Sequence, residues 1–212
     1  MSIINDIAKA VLEGDEEAAR KLVEQAVNAS LPVRQVLHEG LLAGMEEVGR
    51  RFRDGEYYLP EVLVAADAMK AGMAVLQPRL LAENVRPQAT AVVGTVEGDL
   101  HDIGKNLVAT MLQGAGFEVI DLGVDVAADK FVAACTERPV QLVGLSALLT
   151  TTMPQMELVV KRLREKVRPT PRIIVGGAPV TENYARQIGA DGYGADAASG
   201  AEVAKRLCRL SA

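Results

Sequence analysis

The stretch TAVVGTVEGDLHDIGKNLV, residues 90–108, decides the fold of the second half of this chain. It joins an apolar run, 90–96, to a helical pattern through a loop that carries Asp99, His101 and Gly104. Four further short runs follow, each with a helical pattern after it: FEVIDLG (117–123), QLVGLSA (141–147), RIIVGG (172–177) and ADGYGA (190–195). Continuous apolar strands that alternate with helices predict an α/β unit, with a five-stranded parallel sheet covered on both faces.

The residues before this stretch have a different pattern, in which apolar side chains recur at three- and four-residue steps. This periodicity predicts four amphipathic helices. Their ends are marked by residues that commonly cap, open or close helices: Gly14, Asp15, Pro32 and Pro60. Four such helices with short connections predict a small antiparallel bundle over residues 1–85. ENVRPQ (83–88) is interpreted as a linker, so a second domain is predicted over 89–212.

Composition argues against several classes of function. The net charge is −5 and only 3% of the residues are aromatic, which disfavours a surface that binds nucleic acid. No apolar run reaches the roughly 18 residues that a membrane span requires. The opening residues are amphipathic and acidic, unlike a signal peptide. We therefore expect a cytoplasmic protein with no nucleic-acid or membrane partner, and with Cys135 and Cys208 as reduced thiols.

Three stretches of the second half should meet at one edge of the predicted sheet. Parallel sheets bind ligands at the carboxyl ends of their strands, near the switch in strand order. The loop with Asp99 and His101 follows the first strand, Ser146 ends the third, and Gly176 and Gly177 end the fourth. The sequence thus predicts a ligand site at this edge.

The loop is poorly suited to phosphate and better suited to a histidine ligand. It lacks the G-x-G-x-x-G spacing of dinucleotide sites, and its acids would repel a pyrophosphate. Histidine commonly binds metals while a carboxylate holds its second nitrogen, and Asp99 lies two residues before His101. One histidine does not make a closed zinc site. Two interpretations remain open: a surface hydrogen bond, or a metal that brings its other ligands in a macrocycle.

Sequence elements far from the loop help to choose between these two interpretations. Asp99-x-His101-x-x-Gly104, Ser146-x-Leu148 and Gly176-Gly177 together resemble the fingerprint of cobalamin-binding domains, found in methionine synthase, corrinoid methyltransferase proteins and several mutases. GMEEVGRRFRDGEYYLPEVLVAADAM (44–69) resembles the helical cap of methyl-carrying corrinoid proteins. The resemblance covers nearly the whole chain. It implies a four-helix cap followed by a Rossmann-like, flavodoxin-like cobalamin-binding domain.

The resemblance also implies a role for the loop histidine. His101 would replace the benzimidazole of the cofactor as the lower ligand of cobalt, so that the corrinoid is bound base-off and His-on. Asp99 would accept a hydrogen bond from the other ring nitrogen, and Thr152 would extend this relay. His101 is thus the one metal ligand that the resemblance assigns to the chain.

The displaced nucleotide tail of the cofactor is expected to lie between the strand ends. Ser146 and Leu148 would line this slot, while Gly176 and Gly177 would let the backbone approach the tail closely. The complete set of residues implied to bind the cofactor is Asp99, His101, Asp102, Ile103, Gly104, Ser146, Leu148, Thr150, Thr152, Gly176, Gly177 and Tyr193.

The family implies a carrier of methyl groups that does no catalysis without partner enzymes. The cofactor would be cobalamin or a related corrinoid, with methylcobalamin as the loaded form. A substrate-specific methyltransferase would load the methyl group, and a second methyltransferase would deliver it to a thiol or a tetrahydrofolate-type acceptor. A reductive activation protein would be a third partner. The alternatives are a cobalamin-binding sensor, the carrier subunit of an adenosylcobalamin mutase, and a flavodoxin-like binding domain that holds no corrinoid.

Overall fold

The computed structural model describes residues 2–85 and 87–210. The chain divides between Pro87 and Gln88 into two compact units. The interpreted linker, 83–88, lies between the last helix of the first unit and the first strand of the second. Its Arg86 lies outside the described residues, as do the two final residues of the predicted range 89–212.

The first unit is helical. Its elements are α1 (Ile3–Leu12), α2 (Glu16–Asn28), α3 (Val33–Gln35), the π-helical segment η1 (Val36–Leu42), α4 (Ala43–Arg53) and α5 (Leu59–Ala82). Because α3, η1 and α4 follow one another without a break, 33–53 is one long helix. Within residues 2–85 the unit therefore consists of four helices, as the apolar periodicity predicts.

The helix boundaries in this unit come from the residues that the sequence marks. Gly14 lies in the turn between α1 and α2 and has a φ of +70°, a conformation that favours glycine. The Asp15 carboxylate caps α2 by accepting a hydrogen bond from the Ala18 amide at 2.9 Å. Pro60 lies in the first turn of α5. These three residues lie at the helix ends that the sequence predicts.

The second unit contains the sheet. Its elements are β1 (Ala89–Thr95), α6 (Ile103–Gly114), β2 (Phe117–Asp121), α7 (Ala128–Glu137), β3 (Leu142–Ser146), α8 (Met153–Lys166), β4 (Arg172–Gly176), α9 (Glu182–Gln187), β5 (Gly192–Gly194) and α10 (Ala197–Cys208). Every paired strand is parallel to its neighbour, and the order is β2-β1-β3-β4-β5. The predicted five-stranded parallel sheet is confirmed.

The strands are apolar because both faces of the sheet are covered. Val143 and Ile173 on one face pack with Phe131 of α7 and Leu163 of α8, and all four are fully buried. On the opposite face, α10 packs beside Ile174 and contacts α6. Side chains along a strand alternate between faces, so a strand buried on both sides has apolar residues at successive positions.

The strand order places a switch point between β1 and β3, because the chain leaves β1 toward β2 on one side and later returns to β3 on the other. The register aligns Thr95 with Ser146, Ser146 with Gly176, and Gly176 with Gly194 across the carboxyl ends of four strands. The loops after β1, β3 and β4 therefore open at one edge.

A helix crosses a membrane only if it is both long and apolar enough. Within residues 2–85 and 87–210, no helix has both the length and the apolar character needed to cross a bilayer.

Candidate functional site

The loop between β1 and α6 turns sharply and then buries an acid. Gly98 has a φ of +80°, a conformation that favours glycine. The next residue, Asp99, is fully buried, whereas 52% of the His101 side chain is exposed. The turn thus directs a carboxylate inward and leaves an imidazole at the surface of this unit.

The buried carboxylate joins two loops at the switch point. One oxygen of Asp99 accepts a hydrogen bond from the His101 amide at 3.1 Å and lies 2.7 Å from Nδ1 of the same residue. Its other oxygen accepts from the Leu148 amide at 2.7 Å and the Leu149 amide at 3.2 Å. The Thr152 hydroxyl donates to that oxygen as well, at 2.8 Å. Asp99 therefore fixes the loop after β1 to the loop after β3.

These contacts keep the carboxylate charged. Burial alone would raise the pKa of Asp99, but hydrogen bonds from the His101 side chain, the Leu148 and His101 amides and the Thr152 hydroxyl outweigh it. The pKa of Asp99 is consequently held well below its usual range. An ionised carboxylate can only accept hydrogen bonds, so a neutral His101 ring carries its proton on Nδ1.

The second ring nitrogen of His101 is left available. Within residues 88–210 the structure gives Nε2 no hydrogen-bond partner, and the ring is half exposed. With the proton on Nδ1, the Nε2 lone pair points away from Asp99, which is the arrangement of a histidine ligand held by a carboxylate. Among the described residues, no group of three or more His, Cys, Asp or Glu side chains is suited to hold a metal ion.

Exposed apolar side chains lie on the two loops that Asp99 joins. Four large apolar residues that flank Asp99 and His101 or contact them through the backbone are exposed: Leu100, Ile103, Leu148 and Leu149. A Cβ added at Gly104 would meet no atom within 4 Å. The loops after β1 and β3 therefore present exposed apolar surface on the same segments as the Asp99–His101 pair.

The strand ends hold most of the other predicted residues. Ser146 and Gly176 are half-buried neighbours in the register of β3 and β4, and Tyr193 is half-buried in β5. Asp102 and Thr150 are exposed in their loops. All of these lie at the carboxyl edge of the sheet, in the unit that contains the Asp99–His101 pair.

Gly177 has a structural reason to be glycine in addition to the expected one. Its φ is +130°, and an added Cβ would lie 1.9 Å from the Ala147 carbonyl oxygen. The residue at 177 therefore has to be glycine because the backbone after β4 approaches the backbone after β3. The expected role, room for a bound tail, stays a prediction.

Sequence reasoning missed two residues that support the His101 loop. The hydroxyl of Thr95, which is fully buried, donates to the His101 carbonyl oxygen at 2.8 Å. The carboxylate of Asp125, after β2, accepts from the Gly98 amide at 2.7 Å. Neither contact has a local signal, because threonine in a strand and aspartate in a loop are ordinary residues until the fold brings them together.

Comparison with known families identifies the class of protein that this fold and site define. Residues 89–202 match the B12 binding domain, and residues 3–77 match a second family that is also described as a B12 binding domain. The two matches follow the two units of the chain. The protein is therefore a B12-binding protein with a helical domain and a sheet domain.

Relatives narrow this class. The chain is 39% identical to a corrinoid protein of Desulfitobacterium hafniense, over 98% of both chains. It is 44% identical to trimethylamine corrinoid protein 2 of Methanosarcina mazei, over 92% of this chain and 91% of that protein. The chain belongs to the corrinoid proteins of methyltransferase systems and is a methyl carrier of that family. The resemblance stated from the sequence is confirmed.

Solved structures agree with this assignment. A cobalamin-binding protein from Desulfitobacterium hafniense superposes with a TM-score of 0.81 at 35% identity, over 98% of each chain. A chain of the methanol:cobalamin methyltransferase complex MtaBC from Methanosarcina barkeri superposes with a TM-score of 0.84 at 31% identity. That match covers 99% of this chain and 80% of the other.

Proposed function

We propose that this protein binds its corrinoid in the base-off form, with Nε2 of His101 as the lower ligand of cobalt. One observation carries the proposal: the Asp99 carboxylate lies 2.7 Å from Nδ1 of His101, while the ring is half exposed and Nε2 has no partner within the described residues of its own unit. A bound corrinoid supplies a cobalt centre that accepts a methyl group as a nucleophile and later releases it. The protein supplies the position and the electronic environment of that metal.

Each residue of the relay would have a separate task. His101 would donate its Nε2 lone pair, and Asp99 would orient the ring and increase its basicity. Thr152, together with the Leu148 and Leu149 amides, would hold Asp99 in place and keep it ionised. Removal of such supporting groups commonly costs about 10- to 100-fold in metal affinity or activity.

The rest of the cofactor would lie along the same edge. The exposed side chains of Leu100, Ile103 and Leu148 would cover apolar parts of the ring, and Gly104 would leave room beside it. Ser146, Gly176 and Tyr193 would flank the displaced nucleotide tail. Asp102 and Thr150, which are exposed, would reach only its polar periphery.

The partner that loads the methyl group is proposed to be a substrate-specific methyltransferase. This follows from the names of the relatives, which include trimethylamine and dimethylamine corrinoid proteins, and from the MtaBC complex. The methyl donor would accordingly be a methylated amine or methanol. A second methyltransferase would remove the methyl group, and a reductive activation protein would restore the reduced cofactor.

Reconstitution tests the proposal. Protein reconstituted with hydroxocobalamin and reduced should gain the visible spectrum of the methylated cofactor when a methylamine or methanol methyltransferase and its substrate are added. His101→Ala should alter the spectrum that reports axial coordination. His38→Gln, which changes the other histidine of the chain, should leave that spectrum unchanged. Failure to retain any corrinoid, or copurification of an adenosyl form, would contradict the carrier role.

A further inference from the structure

The loop between β2 and α7, residues 122–127, is bonded to the end of β1. We call it the bracing loop. The Thr95 amide donates to the Gly123 carbonyl at 3.0 Å, and the Val126 amide donates to the Thr95 carbonyl at 3.0 Å. Val96 and Val126 also form an isolated parallel bridge. The bracing loop therefore continues the β1–β2 pairing past the strands, up to the start of the His101 loop.

Asp125 makes the last contacts of the bracing loop. Its amide donates to the Asp99 carbonyl at 3.0 Å, and its carboxylate accepts from the Gly98 amide at 2.7 Å. It does so with a φ of 54°, a left-handed conformation that only glycine, asparagine and aspartate adopt readily. Asp125 thus holds both residues that form the turn into the relay.

Thr95 holds the same loop from its other end. Its side chain is fully buried, and its hydroxyl donates to the His101 carbonyl at 2.8 Å. Asp99 accepts a hydrogen bond from the amide of His101 and lies against Nδ1 of its ring. The Thr95 hydroxyl restrains the carbonyl group of the same residue. His101 is consequently restrained through both its ring and its backbone.

We infer that Asp125 and Thr95 are positioning residues for the His101 ligand. The inference rests on the proposed function, since it assumes that His101 coordinates cobalt. Neither side chain bonds the imidazole itself; both act by fixing the backbone that carries it. Without them, coordination would have to order the loop as well as form the bond, and the affinity of the ligand for the metal would fall.

The chain offers matched variants at both positions. Asp125→Gly keeps the left-handed backbone but removes the acceptor of the Gly98 amide, whereas Asp125→Asn keeps both. Thr95→Val keeps a β-branched side chain in β1 but removes the hydroxyl, whereas Thr95→Ser keeps the hydroxyl. Within each pair, one variant loses the hydrogen bond and the other keeps it, so the difference between them reports on that bond and not on substitution at the position in general.

The experiment is electron paramagnetic resonance of the holoprotein, with ¹⁵N in histidine alone, reduced to cob(II)alamin. An axial histidine then splits the cobalt lines into doublets, whereas the ¹⁴N base of the cofactor gives triplets. The ratio of histidine-coordinated cobalt to all other cobalt should fall about tenfold or more in Asp125→Gly and Thr95→Val. It should stay at the wild-type value in Asp125→Asn and Thr95→Ser. A wild-type ratio in all four variants would overturn the inference while leaving the proposed function intact.

Two further outcomes are distinguishable. If the wild-type protein itself shows no splitting from a histidine nitrogen, the proposed function fails, and the positioning role fails with it. If a variant retains no cofactor, amide hydrogen exchange of residues 97–101 in the cofactor-free protein decides. Exchange about tenfold faster than in wild type supports the inference, because a loop that has lost either restraint opens more often. Exchange at the wild-type rate overturns it.

Discussion

Replacement of Asp99 by asparagine should destabilise the sheet unit even without cofactor. The Asp99 side chain is fully buried and accepts five hydrogen bonds. The amide orientation that retains most of them keeps the oxygen toward Leu148, Leu149 and Thr152 and turns the NH2 toward His101. The His101 amide, whose bond to Asp99 is partly buried, then faces another donor, and an unsatisfied donor at such a site costs about 2 kcal/mol. The bonds from Leu148, Leu149 and Thr152 weaken because the acceptor is no longer charged, but the cost of burying a charge disappears. These two effects offset each other, so the free energy of unfolding should fall by about 2 kcal/mol.

The same substitution should also abolish the ligand. The amide NH2 of the new side chain would donate to Nδ1 of His101, so the neutral ring would carry its proton on Nε2, where cobalt should bind. The assay for stability is urea denaturation of the cofactor-free protein. Asp102→Asn is the matched control, because Asp102 is exposed and accepts one bond, from Asn106 at 3.2 Å; its effect should stay within about 0.5 kcal/mol. A free energy of unfolding for Asp99→Asn within that same margin of wild type would refute the reasoning.

Four further predictions each concern one residue. Thr152→Val removes one donor to Asp99 and should lower the free energy of unfolding by about 1 kcal/mol, measured in urea; no change would contradict the relay. Gly104→Ala should raise that free energy by about 0.5–1 kcal/mol in the cofactor-free protein, since the Cβ meets nothing within 4 Å in a helix, yet weaken corrinoid binding in a titration. Equal affinity would mean that the open space is not the cofactor's. Gly177→Ala should cost about 3 kcal/mol or more, because its Cβ would lie 1.9 Å from the Ala147 carbonyl oxygen; a variant with wild-type melting temperature would rule this out. Burial raises the pKa of Cys135 to about 11, so iodoacetamide at pH 7.5 should label this thiol only in denaturant, as mass spectrometry can follow; rapid labelling of the folded protein would contradict its burial.

Local periodicity was enough to predict the architecture. The apolar run 90–96 corresponds to β1 at Ala89–Thr95, and the other runs also match strands to within two residues. A strand buried on both faces has no polar alternation, so length and flanking glycines identify it. The π-helical segment Val36–Leu42 could not be predicted, because three- and four-residue apolar steps indicate a helix without distinguishing its hydrogen-bond pattern.

The site was predictable in part. Asp99 and His101 are two residues apart, so a loop can join them directly, and the resemblance supplied Thr152 from more than fifty positions away. Asp125 and Thr95 could not be predicted, because their contacts depend on the β1–β2 register and on a left-handed backbone that the sequence does not mark. The sequence also could not predict that Gly177 approaches the Ala147 carbonyl, because only the fold creates that backbone contact.

The central claim is that Nε2 of His101 binds cobalt from below. The most direct measurement is electron paramagnetic resonance of cob(II)alamin bound to protein in which histidine alone carries ¹⁵N, with His38→Gln as the background. The account predicts that the triplets from an axial ¹⁴N become doublets, and that His101→Ala removes the doublets. Triplets that persist in the labelled protein would mean that the cofactor's own base still binds the metal, and would contradict the account.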